Sequence, residues 1–214
     1  MEDLDKVISV KGIPFFSKIH NVEAIEKMYD EFEIRDKDVI IMTYPKSGTH
    51  WMIEILSLIY SNGDPSWIKS VPAWKRFPWI EMKNGSELIK NKEDPRLLTS
   101  HLPIHLFPKS YFSSKAKDLK VSVEKICEFL KKKLSEEEIS SVLENASFQA
   151  MEKHKLKNNT PNEYMKPFQV VLMRKGICGE WKNYFTVTQM ETFNKLYQEK
   201  MEGLDQDLFP WNQC

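Results

Sequence analysis

Four consecutive apolar residues, Val39-Ile40-Ile41-Met42, lead through Thr43 and Tyr44 to the ladder-breaking Pro45. A run this short, largely β-branched and bounded by turn residues predicts a strand buried on both faces. Beyond the turn, Trp51, Met52, Ile55, Leu56 and Ile59 recur at near-helical spacing. A helix with one buried face is predicted, with Thr49 at its N-cap and Gly63 as its stop.

The same patterning predicts a short amphipathic helix over Asn21 to Phe32 and a second strand over Arg96 to Ser100. Val123, Ile126, Cys127, Phe129 and Leu130 fall on one helical face, and Ser135 to Glu138 reads as a capping box opening another helix. Phe193 to Met201 is again amphipathic. His154 to Tyr164, polar and containing Pro161, reads as a loop, and Val170 to Met173 taken alone reads as a strand. Between Trp67 and Trp79, aromatics alternate with prolines, which suits a rigid apolar wall or a loop pinned to the core by its indoles better than a regular helix. The fold class is therefore α/β, with a parallel sheet between helices. Such a sheet needs several buried strands joined by crossovers. Only two good candidates precede residue 118, so the sheet is expected to be short of members.

With 214 residues the chain suits one domain spanning 1–214. Lys plus Arg and Asp plus Glu both number 31. Zero net charge argues against nucleic acid and leaves any anionic ligand to local clusters. The cysteines, Cys127, Cys178 and Cys214, are few and lack metal-ligand spacing, so no metal is expected and the thiols should be reduced. The start, Met-Glu-Asp-Leu-Asp, is unlike a secretory signal, and no apolar run approaches bilayer length. A cytoplasmic protein without a membrane partner is the expectation.

Pro45-Lys46-Ser47-Gly48-Thr49 joins the buried strand to the helix start. Backbone N–H groups converge at such a turn, the helix dipole favours negative charge there, and Lys46 adds a full positive one. Two readings follow from the pattern alone: a phosphate-holding loop, or an ordinary turn with a solvated lysine. A kinase or nucleotide triphosphatase is disfavoured, since no Gly-Lys pair stands in the loop. His101, between a short strand and a Leu-Pro break, lies where α/β enzymes place reactive groups, although a lone histidine is more often structural.

The string Thr43-Tyr44-Pro45-Lys46-Ser47-Gly48-Thr49, with Trp51, resembles the 5′-phosphosulfate loop of the cytosolic sulfotransferases. Ser-His-Leu-Pro around His101, Arg174-Lys175-Gly176 and Lys182…Thr186-Val187…Glu191 are similar to three further family motifs in the same order. The resemblance implies a P-loop-like three-layer fold and a 3′-phosphoadenosine 5′-phosphosulfate co-substrate. His101 would be the general base and Lys46 would stabilise the departing 5′-phosphate. It further implies donor contacts from Lys46, Ser47, Gly48, Thr49, His50, Trp51, Ser147, Phe148, Met151, Arg174, Lys175 and Gly176. Acceptor contacts fall to Phe15, Phe16, Trp74 and Trp79, with homodimerisation through Lys182, Thr186, Val187 and Glu191. The acceptor implied is a hydroxysteroid or bile acid. His50 and Ala146 depart from the usual residues, Asn or Thr in the first slot and a hydroxyl residue in the second.

After Lys117 the likeness breaks. Relatives continue into a strand, an Arg-Asn-Pro-Arg-Asp turn and a long helical section, whereas here Asp118 leads straight into the helix beyond it. An internal section on the order of eighty residues is missing by this comparison, with its junction at 117/118. The expectation is a shortened form that binds donor weakly and turns over slowly. The alternative is a non-enzymatic dimerising partner of full-length relatives.

Overall fold

The computed structural model describes residues 7–113, 123–158 and 180–202. The chain divides into two compact units, Met1–Leu172 and Met173–Cys214.

The first unit opens with an antiparallel hairpin of β1 (Val7–Val10) and β2 (Ile13–Phe16), Val10 opposite Ile13. Lys11 and Gly12 turn it with φ of 48° and 85°, the positive pair that a tight hairpin requires. Sequence patterning shows turn residues and exposed-looking aromatics here, because neither Val-Ile-Ser-Val nor Ile-Pro-Phe-Phe alternates cleanly between apolar and polar. Helix α1 (Val22–Glu31) follows, its first turn capped by Asn21, and buries Ile25 and Met28.

Strand β3 (Val39–Met42) and helix α2 (Thr49–Tyr60) form the predicted unit. Two details differ from expectation. The N-cap is Gly48, at φ 101°, and Thr49 is the first helical residue. The buried positions are Ile53, Ile55, Leu56, Leu58 and Ile59 instead of a single stripe, and Trp51 is 56% exposed. Helices pack around α2 on more than one side, which widens its apolar surface beyond a one-faced pattern. Its end is as predicted: Gly63 N–H donates to Leu58 O (2.8 Å) and Asn62 N–H to Ile59 O (3.3 Å). Those two bonds, with Asn62 and Gly63 at positive φ, close a Schellman cap.

Helices α3 (Ser66–Ser70) and α4 (Ala73–Arg76) then occupy the stretch expected to be irregular. Pro65 and Pro72 stand just before them, where a missing N–H costs a helix nothing. After α5 (Gly85–Lys90), β4 (Leu97–Ser100) pairs parallel with β3, Val39 beside Leu97 through Met42 beside Ser100. Trp79 bridges Thr99 on the other side of β4, with Thr99 N–H donating to Pro78 O and Ile80 N–H to Thr99 O, both at 3.0 Å.

Alternation along these strands creates the layers. Val39, Ile41 and Leu97 pack with Ile53, Leu56 and Ile59 of α2, whereas Ile40 and Leu98 pack with Ile25, Met28 and Phe107. Both faces of the sheet are thus covered, which is why its strands read as continuous apolar runs. The strand expected near Val170 lies outside the described residues.

Helices α6 (Val123–Phe129), α7 (Glu136–Asn145) and α8 (Phe148–Asn158) complete the described part of this unit. Ser135 and Glu138 form the expected capping box. Phe129 is 36% exposed, not on the buried face with Val123, Ile126 and Cys127. Residues 154–158, expected in a loop, continue α8, since the first helix-breaking proline comes only at 161.

In the second unit, a 3-10 turn over Glu180–Asn183 precedes α9 (Val187–Met201), capped by Thr186 and Gln189. Among the described residues, no helix is long and apolar enough to cross a membrane.

Candidate active site

The parallel register puts Thr43 and His101 together, each one residue beyond the paired ends Met42 and Ser100. Thr43 N–H still donates to Ser100 O (3.2 Å), and the imidazole Nδ1 of His101 lies 2.9 Å from the Thr43 carbonyl oxygen. A carbonyl can only accept, so Nδ1 carries the proton and the lone pair stands on Nε2. Burial pushes the imidazole below its ordinary pKa, against the opposing pull of the Thr43 carbonyl. His101 is therefore uncharged at neutral pH, in the form that can take a proton.

The loop leaving Thr43 is drawn closed by its own hydroxyls. Thr43 Oγ1 and Thr49 Oγ1 meet at 2.7 Å, so the residue expected to cap α2 instead ties the two ends of the turn. Between them Ser47 N–H and Ser47 Oγ both donate to Tyr44 O, at 3.2 and 2.6 Å. Pro45 fits the first corner of that turn, and Lys46 takes φ 68° in the second, a region costly for a side chain other than glycine. Gly48 then enters the helix with no side chain to cap it, and no side-chain cap bond is present at the start of α2. The loop thus sets an exposed Lys46 beside a helix N-terminus that favours negative charge.

Trp51 reaches from the first turn of α2 to the α7–α8 junction, donating Nε1–H to Ala146 O at 2.9 Å. That bond draws Ser147 and Phe148, both half-buried, toward the loop, with Met151 buried one turn along α8. Trp79 is 5% exposed and lies between two histidines, 5.5 Å from the ring of His50 and 5.9 Å from that of His101. Phe15 is buried in the cluster containing Val10 and Ile25, 5.1 Å from the His20 ring, whereas Phe16 is half exposed. A cleft of about 460 Å³, lined by Ile8, Ser17, His20, Val22 and Lys83 among others, adjoins this hairpin. His20 is held below its ordinary pKa mainly by burial, with the charge of Lys83, and that of His101 when it is protonated, adding to the effect. Trp74 packs half-buried at the edge of the core around α2, with Lys75 Nζ 5.2 Å above its ring.

Glu81 carries no role in the sequence reading. It is 1% exposed, and its Oε1 accepts the His101 backbone N–H at 2.8 Å. Burial pushes its carboxyl up to about 7. The available signal was an acid embedded in Phe77-Pro78-Trp79-Ile80-Glu81-Met82, a context where a solvated face is implausible.

Arg174, Lys175 and Gly176 lie outside the described residues. In the second unit, Lys182, Thr186, Val187 and Glu191 are all exposed, Val187 at 66%. Among the described residues, no cluster of side chains could hold a metal ion.

A profile of the sulfotransferase domain matches residues 36–121 and 116–205. The chain belongs to the sulfotransferase family. Its relatives include sulfotransferase 2A1 of Macaca fascicularis, 39% identical over 283 residues, covering 97% of this chain and 99% of the relative. The 3-beta-hydroxysteroid sulfotransferase of Cavia porcellus is 37% identical over 286 residues, covering 98% and 99%. Among solved structures, mouse sulfotransferase SULT7A1 complexed with PAP superposes with a TM-score of 0.70 at 19% identity, covering 93% of this chain and 96% of the other. Retinol dehydratase in complex with androsterone and inactive cofactor PAP gives 0.71 at 16% identity, with 86% of each chain covered. The backbone is accordingly that of an α/β sulfotransferase.

Proposed function

We propose that the chain transfers a sulfonate group from 3′-phosphoadenosine 5′-phosphosulfate to the hydroxyl of a hydroxysteroid-type acceptor. The single observation that carries the reading is the pairing of His101 Nδ1 with the Thr43 carbonyl, beside the Lys46 loop. His101 Nε2 takes the acceptor proton as the oxygen attacks sulfur. The S–O bond to the 5′-phosphate breaks, and negative charge grows on the leaving oxygen. Lys46 and the amides at the start of α2 stabilise that charge. Ser47, Gly48, Thr49, His50 and Trp51 serve the same donor and Ser147, Phe148 and Met151 flank its base, while Arg174, Lys175 and Gly176 are assigned to its 3′-phosphate by the family resemblance of their sequence alone. The acceptor class rests on relatives such as the hydroxysteroid sulfotransferase of Cavia porcellus.

The chain is read as one sulfotransferase domain that lacks an internal section at the 117/118 junction. Two facts support that reading: the alignment with its macaque relative runs over 283 residues against 214 here, and the family profile matches in two segments that meet at 116–121. By the family resemblance, the absent section would carry an arginine and a serine on the 3′-phosphate. Hydrogen bonds to charged groups contribute about 1.5–3 kcal/mol each, so their loss weakens donor binding by roughly 10²- to 10⁴-fold. Turnover is then slow wherever the donor does not saturate the site. A labelled-donor assay over a panel of hydroxylated steroids and bile acids tests this: transfer at a low rate supports it, and none with any acceptor overturns it. Calorimetry with 3′-phosphoadenosine 5′-phosphate tests the shortened-site argument separately, because micromolar affinity would show the loss to be tolerated.

A second reading is favoured by the exposed Val187, in the first turn of α9 beside the cap residue Thr186. It makes the chain a partner that dimerises with itself or with full-length relatives through Lys182, Thr186, Val187 and Glu191. Co-purification abolished by Val187→Glu supports it, and pairing that survives that change removes it.

A further inference from the structure

Glu81 is an expensive residue for its position. A carboxylate taken out of water is unfavourable unless paired, and among the described residues no cation is paired with this one. One oxygen, Oε2, is buried with no hydrogen-bond partner. A leucine would fill the same space at lower cost, so the location of the other oxygen is what the glutamate contributes.

The sheet shows why an oxygen is needed there. The segment 78–80 runs parallel to β4, exchanging Thr99 N–H to Pro78 O and Ile80 N–H to Thr99 O. In a parallel ladder the next donor, the His101 N–H, would go to the carbonyl of Ile80. That bond is not formed, and the carbonyl lies against the start of α5: a Cβ added to Gly85 would stand 2.9 Å from Ile80 O and 2.2 Å from Trp79 O. Glu81 Oε1 takes the vacated place at 2.8 Å. The peptide that carries the imidazole is thereby held on one side by Glu81, while Thr43 O holds the ring on the other.

We propose that Glu81 is the positioning residue for His101, standing in for the missing ladder carbonyl so that Nδ1 meets Thr43 and Nε2 is presented as the base. The catalytic consequence rests on the sulfonate-transfer reading, but the positioning itself does not.

The test is nitrogen-detected NMR of the His101 ring in the full chain, on wild type, Glu81→Gln, Glu81→Asp and Glu81→Leu. Wild type is expected to show the Nδ1–H tautomer. Gln keeps an oxygen at the same reach and should preserve it. Asp draws the oxygen back by one methylene and Leu removes it, so both should give mixed tautomers. Should Leu fail to fold, the Asp and Gln variants decide the matter. A purely structural carboxylate would alter thermal stability in all three without moving the tautomer, and an unchanged Nδ1–H signal in folded Asp or Leu protein overturns the proposal. In the transfer assay, Asp should lower kcat by about 10- to 100-fold with donor KM unchanged, and Gln should restore it. A tautomer shift in the Asp or Leu variant, together with a wild-type chain that never transfers sulfonate, would refute the enzymatic reading and leave Glu81's role standing.

Discussion

Thr43 and His101 are 58 residues apart in sequence, yet the imidazole Nδ1–H of one donates to the carbonyl of the other at 2.9 Å. The bond exists because β3 and β4 end in register, so each strand delivers its next residue to the same edge of the sheet. Ligands in open α/β folds bind at that carboxyl edge. His101→Ala should lower kcat by roughly 10²- to 10⁴-fold, the usual range for a general base, with little change in affinity for 3′-phosphoadenosine 5′-phosphate. Burial lowers the imidazole pKa, so the acid limb of the pH–rate profile should fall below the ordinary histidine midpoint, with activity lost as pH drops through it. A limb at or above that midpoint would count against His101 as the base.

Lys46 stands at φ 68° in the loop and is exposed. Lys46→Met keeps its length and removes its charge. Loss of one charge-assisted bond to phosphate is worth about 1.5–3 kcal/mol, so calorimetry should show affinity for the bisphosphate product lowered by roughly 10- to 10²-fold. Equal affinities would mean that the lysine faces solvent in the bound state.

Local features of this chain are legible in its sequence and long-range ones are less so. The β3–α2 unit, the Ser135–Glu138 capping box and the Gly63 stop each depend on residues within a few positions of one another, and each forms. Thr49 was misread because a threonine before an apolar run normally caps its own helix, and only the distant partner Thr43 redirects its hydroxyl. Trp51 misled in the same way: its indole belongs to the Ala146 carbonyl 95 residues on, not to the apolar face of α2. Glu81 gave least warning, since its partner is a backbone N–H 20 residues on, at the end of a strand it does not belong to.

At the opposite end of the same strands, Arg96 grips Asp38 in two bonds, Nε to Oδ1 at 2.8 Å and Nη2 to Oδ2 at 2.5 Å, both groups buried. Asp38 also accepts the Arg35 N–H at 2.9 Å. This pair precedes β3 and β4 as Thr43 and His101 follow them. Removing one partner strands a buried charge, so Asp38→Ala should cost about 3–5 kcal/mol by urea unfolding. The double variant Asp38→Ala with Arg96→Met should recover part of it, and strict additivity would show the two residues to be uncoupled.

The raised carboxyl of Glu81 gives stability a pH dependence opposite in sign to that of an ordinary ion-paired acid. Its folded pKa of about 7 exceeds the ordinary glutamate value of 4.5, so between them the unfolded chain has released a proton that the folded chain retains. The stabilising contribution is complete below about pH 4.5 and is lost as pH rises through about 7. A separation of that size corresponds to a loss on the order of 3 kcal/mol. Urea titrations at a series of pH values from 5 to 8, compared between wild type and Glu81→Gln, isolate this group, because the amide cannot titrate and other groups are common to both. The wild-type curve should fall relative to the variant as pH rises. A difference that stays flat would mean that the carboxylate is already ionised at low pH, held by a partner on the side where Oε2 stands unpaired.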